Sequence, residues 1–167
     1  MKKLLLCFAF MAAGVMTSWA QAQPQPKLVP IDQQKEISGK YYTVKIPEGW
    51  TARSRMVSNS CTFSMNDQPY LTASPNVITY ETLDEFKKNC EGKDYKALDN
   101  ITVNKREYVV YELLEDGKYY KIQAATPVGD GTFQLQLMAG NSSLSTEKVK
   151  EIIEASVKTV LEKVTFK

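Results

Sequence analysis

The sequence predicts an α+β fold, and three observations predict it. Two β-rich runs within residues 105–125 meet at Asp116-Gly117 as a hairpin, further short runs alternate apolar and polar residues, and two amphipathic segments begin at Thr82 and Ser145 with helix-capping chemistry. The chain of 167 residues is 43% hydrophobic and 24% charged, a balance that suits one soluble domain with a real core.

The N-terminus reads as an export signal. Lys2-Lys3 precede an apolar run from Leu4 to Met16, and two small-x-small sites follow, Ser18-Trp19-Ala20 and Ala20-Gln21-Ala22. Cleavage is expected after Ala22. The run falls short of the roughly 20 apolar residues that span a bilayer, so the mature protein is expected to be exported to the periplasm or outside, without stable membrane insertion. Residues 23–37, with Pro24, Pro26 and Pro30, read as an extended linker, with a short helical turn at 31–36. The domain itself is expected over 38–167.

Residues 41–46 alternate as a half-buried strand, ended by Pro47-Glu48-Gly49, and Trp50 follows as a cap on one end of the core. A second alternating run, 61–65, turns Cys61 inward. Residues 71–73 and 77–80 favour β structure, and Pro75 between them implies an edge strand or a bulge. Thr82-Leu83-Asp84-Glu85 is a capping box, and Leu83, Phe86 and Cys90 share one face of the helix it starts, which Gly92 stops.

After a loop with Asp94 and Asp99, 101–103 and 106–115 flank a tight turn at Asn104-Lys105. Asp116-Gly117 favours a two-residue turn, because both positions need positive φ. That turn sets Leu113 against Tyr120, Tyr111 against Ile122 and Glu112 against Lys121. Residues 127–131 then form a loop before a strand in which Phe133, Leu135 and Leu137 alternate with Thr132, Gln134 and Gln136. Ser145 caps the last helix, where Val149, Ile152, Ile153, Val157, Val160, Leu161 and Val164 form an apolar stripe for a sheet face.

Composition excludes several functions. Removing residues 1–22 takes away two lysines and leaves 19 basic against 19 acidic side chains, so no basic surface for nucleic acid is expected. The chain has no His, which removes Ser-His-Asp and Cys-His nucleophiles and most zinc, copper and iron sites. Phosphate-binding glycine loops and the Gly-x-Ser-x-Gly elbow are missing too. No catalytic, cofactor-binding or metal-binding residue is therefore predicted. Cys61 and Cys90, the two cysteines beyond the signal, are most simply one disulfide in an oxidising compartment; two buried thiols or a reactive site are the alternatives. Trp50, Tyr42, Tyr111 and Tyr119 form a candidate ligand or partner surface, weighed against the plain suitability of Tyr for half-buried strands.

The order of elements resembles the PsbP-like superfamily. The resemblance runs through the strand and turn YYTVKIPEGW, the helix start TLDEF, the run ITVNKREYVVYEL and a closing amphipathic helix ending in VTFK, over about residues 38–167. That superfamily includes the PsbP extrinsic subunit of photosystem II, Ran-binding import factors of the Mog type and DcrB-type bacterial envelope proteins. The resemblance implies a mainly antiparallel sheet flanked by helices in an α-β-α sandwich, used for binding rather than catalysis. No functional residue carries over. The expected role is a non-catalytic binding or envelope-associated protein, acting on an unidentified protein or small ligand through a sheet face or a groove beside the closing helix. The alternatives are a carrier whose pocket is lined by Trp50, Phe63, Met65 and tyrosines, and an enzyme using carboxylates or a thiol.

Overall fold

A computed structural model describes residues 29–68, 70–93, 95–115, 119–140 and 144–167, without the side chains of Glu115 and Tyr119. The expected signal at 1–22, the Asp116-Gly117 turn and Asp94 lie outside the described residues. A 3₁₀ turn at Ile31–Gln33 leads into β1 (Glu36–Ser38) and β2 (Tyr42–Lys45), followed by β3 (Trp50–Ala52), β4 (Phe63–Met65) and β5 (Leu71–Thr79). Helix α1 (Leu83–Glu91) separates these from β6 (Lys96–Val103), β7 (Arg106–Glu115), β8 (Tyr119–Val128) and β9 (Gly131–Ala139). Helix α2 (Thr146–Leu161) and β10 (Val164–Phe166) close the chain.

The main sheet has seven strands in the order β3-β4-β5-β9-β8-β7-β6, and a small sheet has the order β1-β2-β10. Every pairing is antiparallel. Successive residues of a strand point to opposite faces, so Ala124 joins the large core that α2 covers while Ala125 joins a smaller one under α1. Helices thus lie on both faces, the α-β-α arrangement expected.

Local chemistry sets the helix starts as read from the sequence. Thr82 Oγ1 accepts from Glu85 N at 3.2 Å while Glu85 Oε2 accepts from Thr82 N at 2.8 Å, and Ser145 Oγ accepts from Lys148 N at 3.3 Å. Asn104 and Lys105 both take positive φ, 51° and 64°, and make the tight turn between β6 and β7.

Several expectations are corrected. Pro75 sits neither on an edge nor at a bulge: β5 runs unbroken between β4 and β9. A strand residue directs its N and C=O to the same side, and Pro75 O accepts from Cys61 N at 3.2 Å, on the side where β4 has already ended, so β9 loses no hydrogen bond. The loop expected at 127–131 narrows to Gly129-Asp130, with Gly129 at φ 55°. Folded structure begins before residue 38, since β1 pairs with β2 and buries Ile37. The VTFK end is a strand, not helix: β10 adds to the far side of β2.

The hairpin register also differs by one residue. Leu114, not Leu113, faces Tyr120, and Glu112 faces Ile122 rather than Lys121. Val110 and Glu112 therefore share the α2 face with Tyr120, Ile122 and Ala124. This pairing lets Tyr108 and Val110 enter the core already committed to by β8 and β9.

Candidate functional site

Two clefts flank the main sheet. The first lies beside α2, where β6 would otherwise lie flat on the sheet edge. Leu98 and Ile101 are three residues apart, so plain alternation would turn them to opposite faces. Between them the register shifts: Leu98 faces Val110 and Ile101 faces Tyr108, so Asp99 and Asn100 together oppose one residue of β7. This bulge returns Leu98, Ile101 and Val103 to the same face. With Val110, Ile122 and Val157 they line a groove of about 430 Å³, rimmed by Asp99, Glu154 and Lys158.

A charged cluster closes on the same face. Glu112, 8% exposed, accepts from Tyr120 Oη at 2.9 Å and Lys150 Nζ at 2.8 Å, with Lys96 Nζ at 3.4 Å. Burial alone would raise its pKa, but the hydrogen bonds from Lys150, Tyr120 and Lys96 outweigh burial and hold the carboxyl below its ordinary value. Tyr120 is pushed far above the usual phenol range, first by burial and then by its bond to Glu112, and Lys150 is raised chiefly by that same carboxylate. The same bonds favour the carboxylate, the neutral phenol and the ammonium.

The second cleft, about 500 Å³, lies on the opposite face beside α1. Its floor carries Gln123 of β8 with Gln134 and Gln136 of β9. Cys90 Sγ donates to Gln123 Oε1 at 3.4 Å, Gln123 Nε2 donates to Gln136 Oε1 at 3.2 Å, and Gln136 Nε2 donates to the Met138 thioether at 3.2 Å. Glu81 is occupied by Asn89 and Gln134. Among the described residues no group of three or more His, Cys, Asp or Glu side chains converges to hold a metal ion, and no helix is long and apolar enough to cross a membrane.

The expected disulfide is not formed. Cys61 and Cys90 are both free and buried. Cys61 lies in the α2-side core at 3.8 Å from Tyr42 Oη, Cys90 in the α1-side cluster with Phe86 and Tyr111, so the sheet stands between them. Each does face a core as the alternation implied, but there are two cores. Burial is the main cause that raises both thiols to about 11.

The aromatic surface expected from the sequence is likewise not a surface. Tyr42 is wholly buried and donates to Pro75 O at 2.8 Å; burial first, and then the neighbouring Cys61 thiol, push its ionisation far up. Tyr111 packs edge-on against Phe86 under α1, and Trp50 against Phe63 at 5.6 Å. Tyr119 has a side chain outside the described residues. Phe63 and Met65, proposed as pocket walls, join the core instead. Of the aromatic residues singled out, Trp50 borders a polar cavity near the 3₁₀ turn. Cys90 apart, the residues that line both large clefts were read only as elements; Leu98 before Ile101 and the Gln134-x-Gln136 alternation were the available signals.

No protein-family model matches the sequence, and no curated protein is similar to it. Among solved structures, the cyanobacterial PsbP (CyanoP) from Synechocystis sp. PCC 6803 is similar at TM-score 0.51 and 11% identity, over 87% of this chain and 99% of that one. The fold is PsbP-like. A protein from Bacteroides thetaiotaomicron VPI-5482 matches at TM-score 0.53 and 12% identity over 81% of this chain and 49% of its own, so the present chain spans about half its length. LpqN of Mycobacterium tuberculosis, involved in cell envelope biogenesis, matches at TM-score 0.44 and 14% identity over 75% of this chain and 82% of that chain.

Proposed function

We propose that this chain is an exported, non-catalytic binding protein whose groove between α2 and β6 takes a small amphipathic molecule. The carrying observation is the groove itself: about 430 Å³ walled by Leu98, Ile101, Val103, Val110, Ile122 and Val157, with charge only at its rim. That size and lining match small-molecule sites, which run from roughly 300 to 1,000 Å³ and are mostly apolar with a few placed polar groups. The apolar body of the ligand lies on the strand residues, and its polar end meets Lys158, Glu154 and Asp99. The sheet forms the floor of the groove, and the Glu112–Lys150 pair at 2.8 Å ties α2 to β7 beside it.

A non-catalytic role is supported by the absence of His and by the state of Glu112, the one buried carboxylate among the described residues. Its proton is held off by an ammonium and a phenol, which suits structure better than acid catalysis. The export reading rests on the leader-like sequence of residues 1–22, and N-terminal sequencing of protein from the native host is expected to begin at Gln23. A cytoplasmic protein retaining Met1 would remove that part of the reading.

The binding test uses N-phenyl-1-naphthylamine, whose fluorescence rises in apolar surroundings. Saturable enhancement is expected, displaced by medium-chain fatty acids or alcohols. Leu98→Glu sets a charge among the groove walls at a half-exposed position and is expected to weaken binding at least about tenfold, the cost of putting an unpaired charge against an apolar ligand. Saturable binding left unchanged by Leu98→Glu, or none at all, rejects the groove as the site.

A further inference from the structure

The cleft on the other face has the opposite chemistry. Its acceptors are largely spoken for: the Glu81 carboxylate holds Asn89 and Gln134, and Gln123 Oε1 holds the Cys90 thiol. Its donors are not. Gln136 Nε2 ends the amide chain on a thioether, a weak acceptor. Lys93 and Lys121 line the same cleft and make no ion pair among the described residues; Lys121 rests 5.3 Å over the Tyr95 ring. A cavity of about 500 Å³ in which two ammonium groups without an ion pair among the described residues outnumber the single Glu81 carboxylate, beside an underused amide, calls for an anionic, oxygen-rich occupant.

Phe86 and Tyr95 add an aromatic wall to the amide floor. An inorganic anion would leave that wall and most of the amide floor unused. A hydroxylated carboxylate uses all three: its carboxylate meets the lysines, its hydroxyls exchange hydrogen bonds with the glutamine amides, and its C–H face lies on the ring.

We infer that the α1-side cleft, between Lys93, Lys121 and the Gln123/Gln136 pair, is a second binding site for a small hydroxylated carboxylate such as a sugar acid. The site is separated from the α2 groove by the thickness of the sheet, so it stands or falls independently of the amphipathic-ligand reading. No covalent step is involved.

The experiment titrates the full chain with galacturonate, and with galactose and inorganic phosphate as matched comparisons, up to about 10 mM, a range that detects even weak millimolar binding. Galacturonate is expected to raise the unfolding temperature and to shift the side-chain amide resonances of Gln123 and Gln136, while galactose and phosphate do neither. Lys93→Gln with Lys121→Gln removes both charges at solvent-accessible positions and is expected to weaken galacturonate binding about tenfold or more, as loss of charge-assisted bonds should. Leu98→Glu, across the sheet, leaves that binding unchanged. Failure of galacturonate to bind, binding of galactose or phosphate with equal affinity, or indifference to the double lysine variant overturns the inference. If the double variant fails to fold, Gln136→Leu, which keeps both charges and removes the amide, is expected to give the same loss, and full affinity there overturns it equally.

Discussion

Replacing Lys150 with Met tests whether Glu112 is the electrostatic anchor of α2. The variant keeps most of the apolar stem and removes the ammonium 2.8 Å from Glu112 Oε2 and 3.7 Å from Glu154 Oε1. Glu112 retains Tyr120 at 2.9 Å and a looser Lys96 at 3.4 Å. A hydrogen bond to a charged group contributes roughly 1.5 to 3 kcal/mol. The Lys150 side chain is 41% exposed, so solvent screening reduces the expected loss to about 1 to 2 kcal/mol. In a domain of this size that lowers the unfolding midpoint by roughly 2 to 8 °C.

The pH dependence gives the sharper check. The folded Glu112 carboxyl sits below its ordinary value of 4.5, so its contribution is in full force above that value and is lost as pH falls through the folded pKa. Lys150 sits above its ordinary 10.5, so its share is present below that value and is lost as pH rises through the folded pKa. Urea unfolding across pH is therefore expected to show the wild-type advantage greatest at neutral pH, shrinking in acid and again in strong alkali. An unchanged stability at neutral pH, or the same deficit at about pH 3 as at about pH 7, refutes the ion-pair reasoning.

Other perturbations follow from the same structure. Gly131→Ala places a Cβ 2.3 Å from Ile78 O, inside the β5–β9 ladder where backbone has to give; a loss of about 2 to 3 kcal/mol is expected in chemical denaturation, and a neutral result would show that the strands can part cheaply. Tyr42→Phe removes the hydroxyl that donates to Pro75 O at 2.8 Å and is expected to cost about 1 to 2 kcal/mol in the same assay, with the fold retained. Cys61 and Cys90, buried and raised to about 11, are expected to resist Ellman's reagent in the native protein, to react on unfolding, and to leave the intact mass unchanged by reductant; a two-dalton gain on reduction contradicts the separate cores. Lys105→Gly relieves a positive φ of 64° at an exposed turn and is expected to stabilise by about 0.5 to 1 kcal/mol, read as a higher urea midpoint.

The candidate clefts were less legible than the elements that build them. The groove beside α2 depends on the bulge at Asp99-Asn100, and two polar residues before a β-branched run look the same in sequence whether they end a loop or interrupt a strand. The aromatic residues drew attention for their size, yet size is what fills cores: Tyr42 is buried with its hydroxyl on Pro75 O of β5, and Tyr111 with its ring against Phe86 of α1. The clefts are lined mainly by ordinary aliphatic, amide and lysine side chains, with Phe86 and Tyr95 at the second. Nothing in the type of such residues marks them, and only their convergence makes a site.

The amino-acid order alone settled whatever is decided within one turn or one pleat. It placed both helix starts, through Thr82 with Glu85 and through Ser145; the Asn104-Lys105 turn; the alternating strand around Phe133; and the α+β class. Tertiary structure decided which partner each strand residue faces, that Pro75 sits harmlessly in mid-sheet, that the last residues form a strand against β2, and that the two cysteines fall into different cores. The division has a physical cause. Caps and pleats are governed by neighbours a few residues apart, whereas the side of a sheet that a residue faces is chosen by packing against elements distant in sequence, where a shift of one residue exchanges core for cleft.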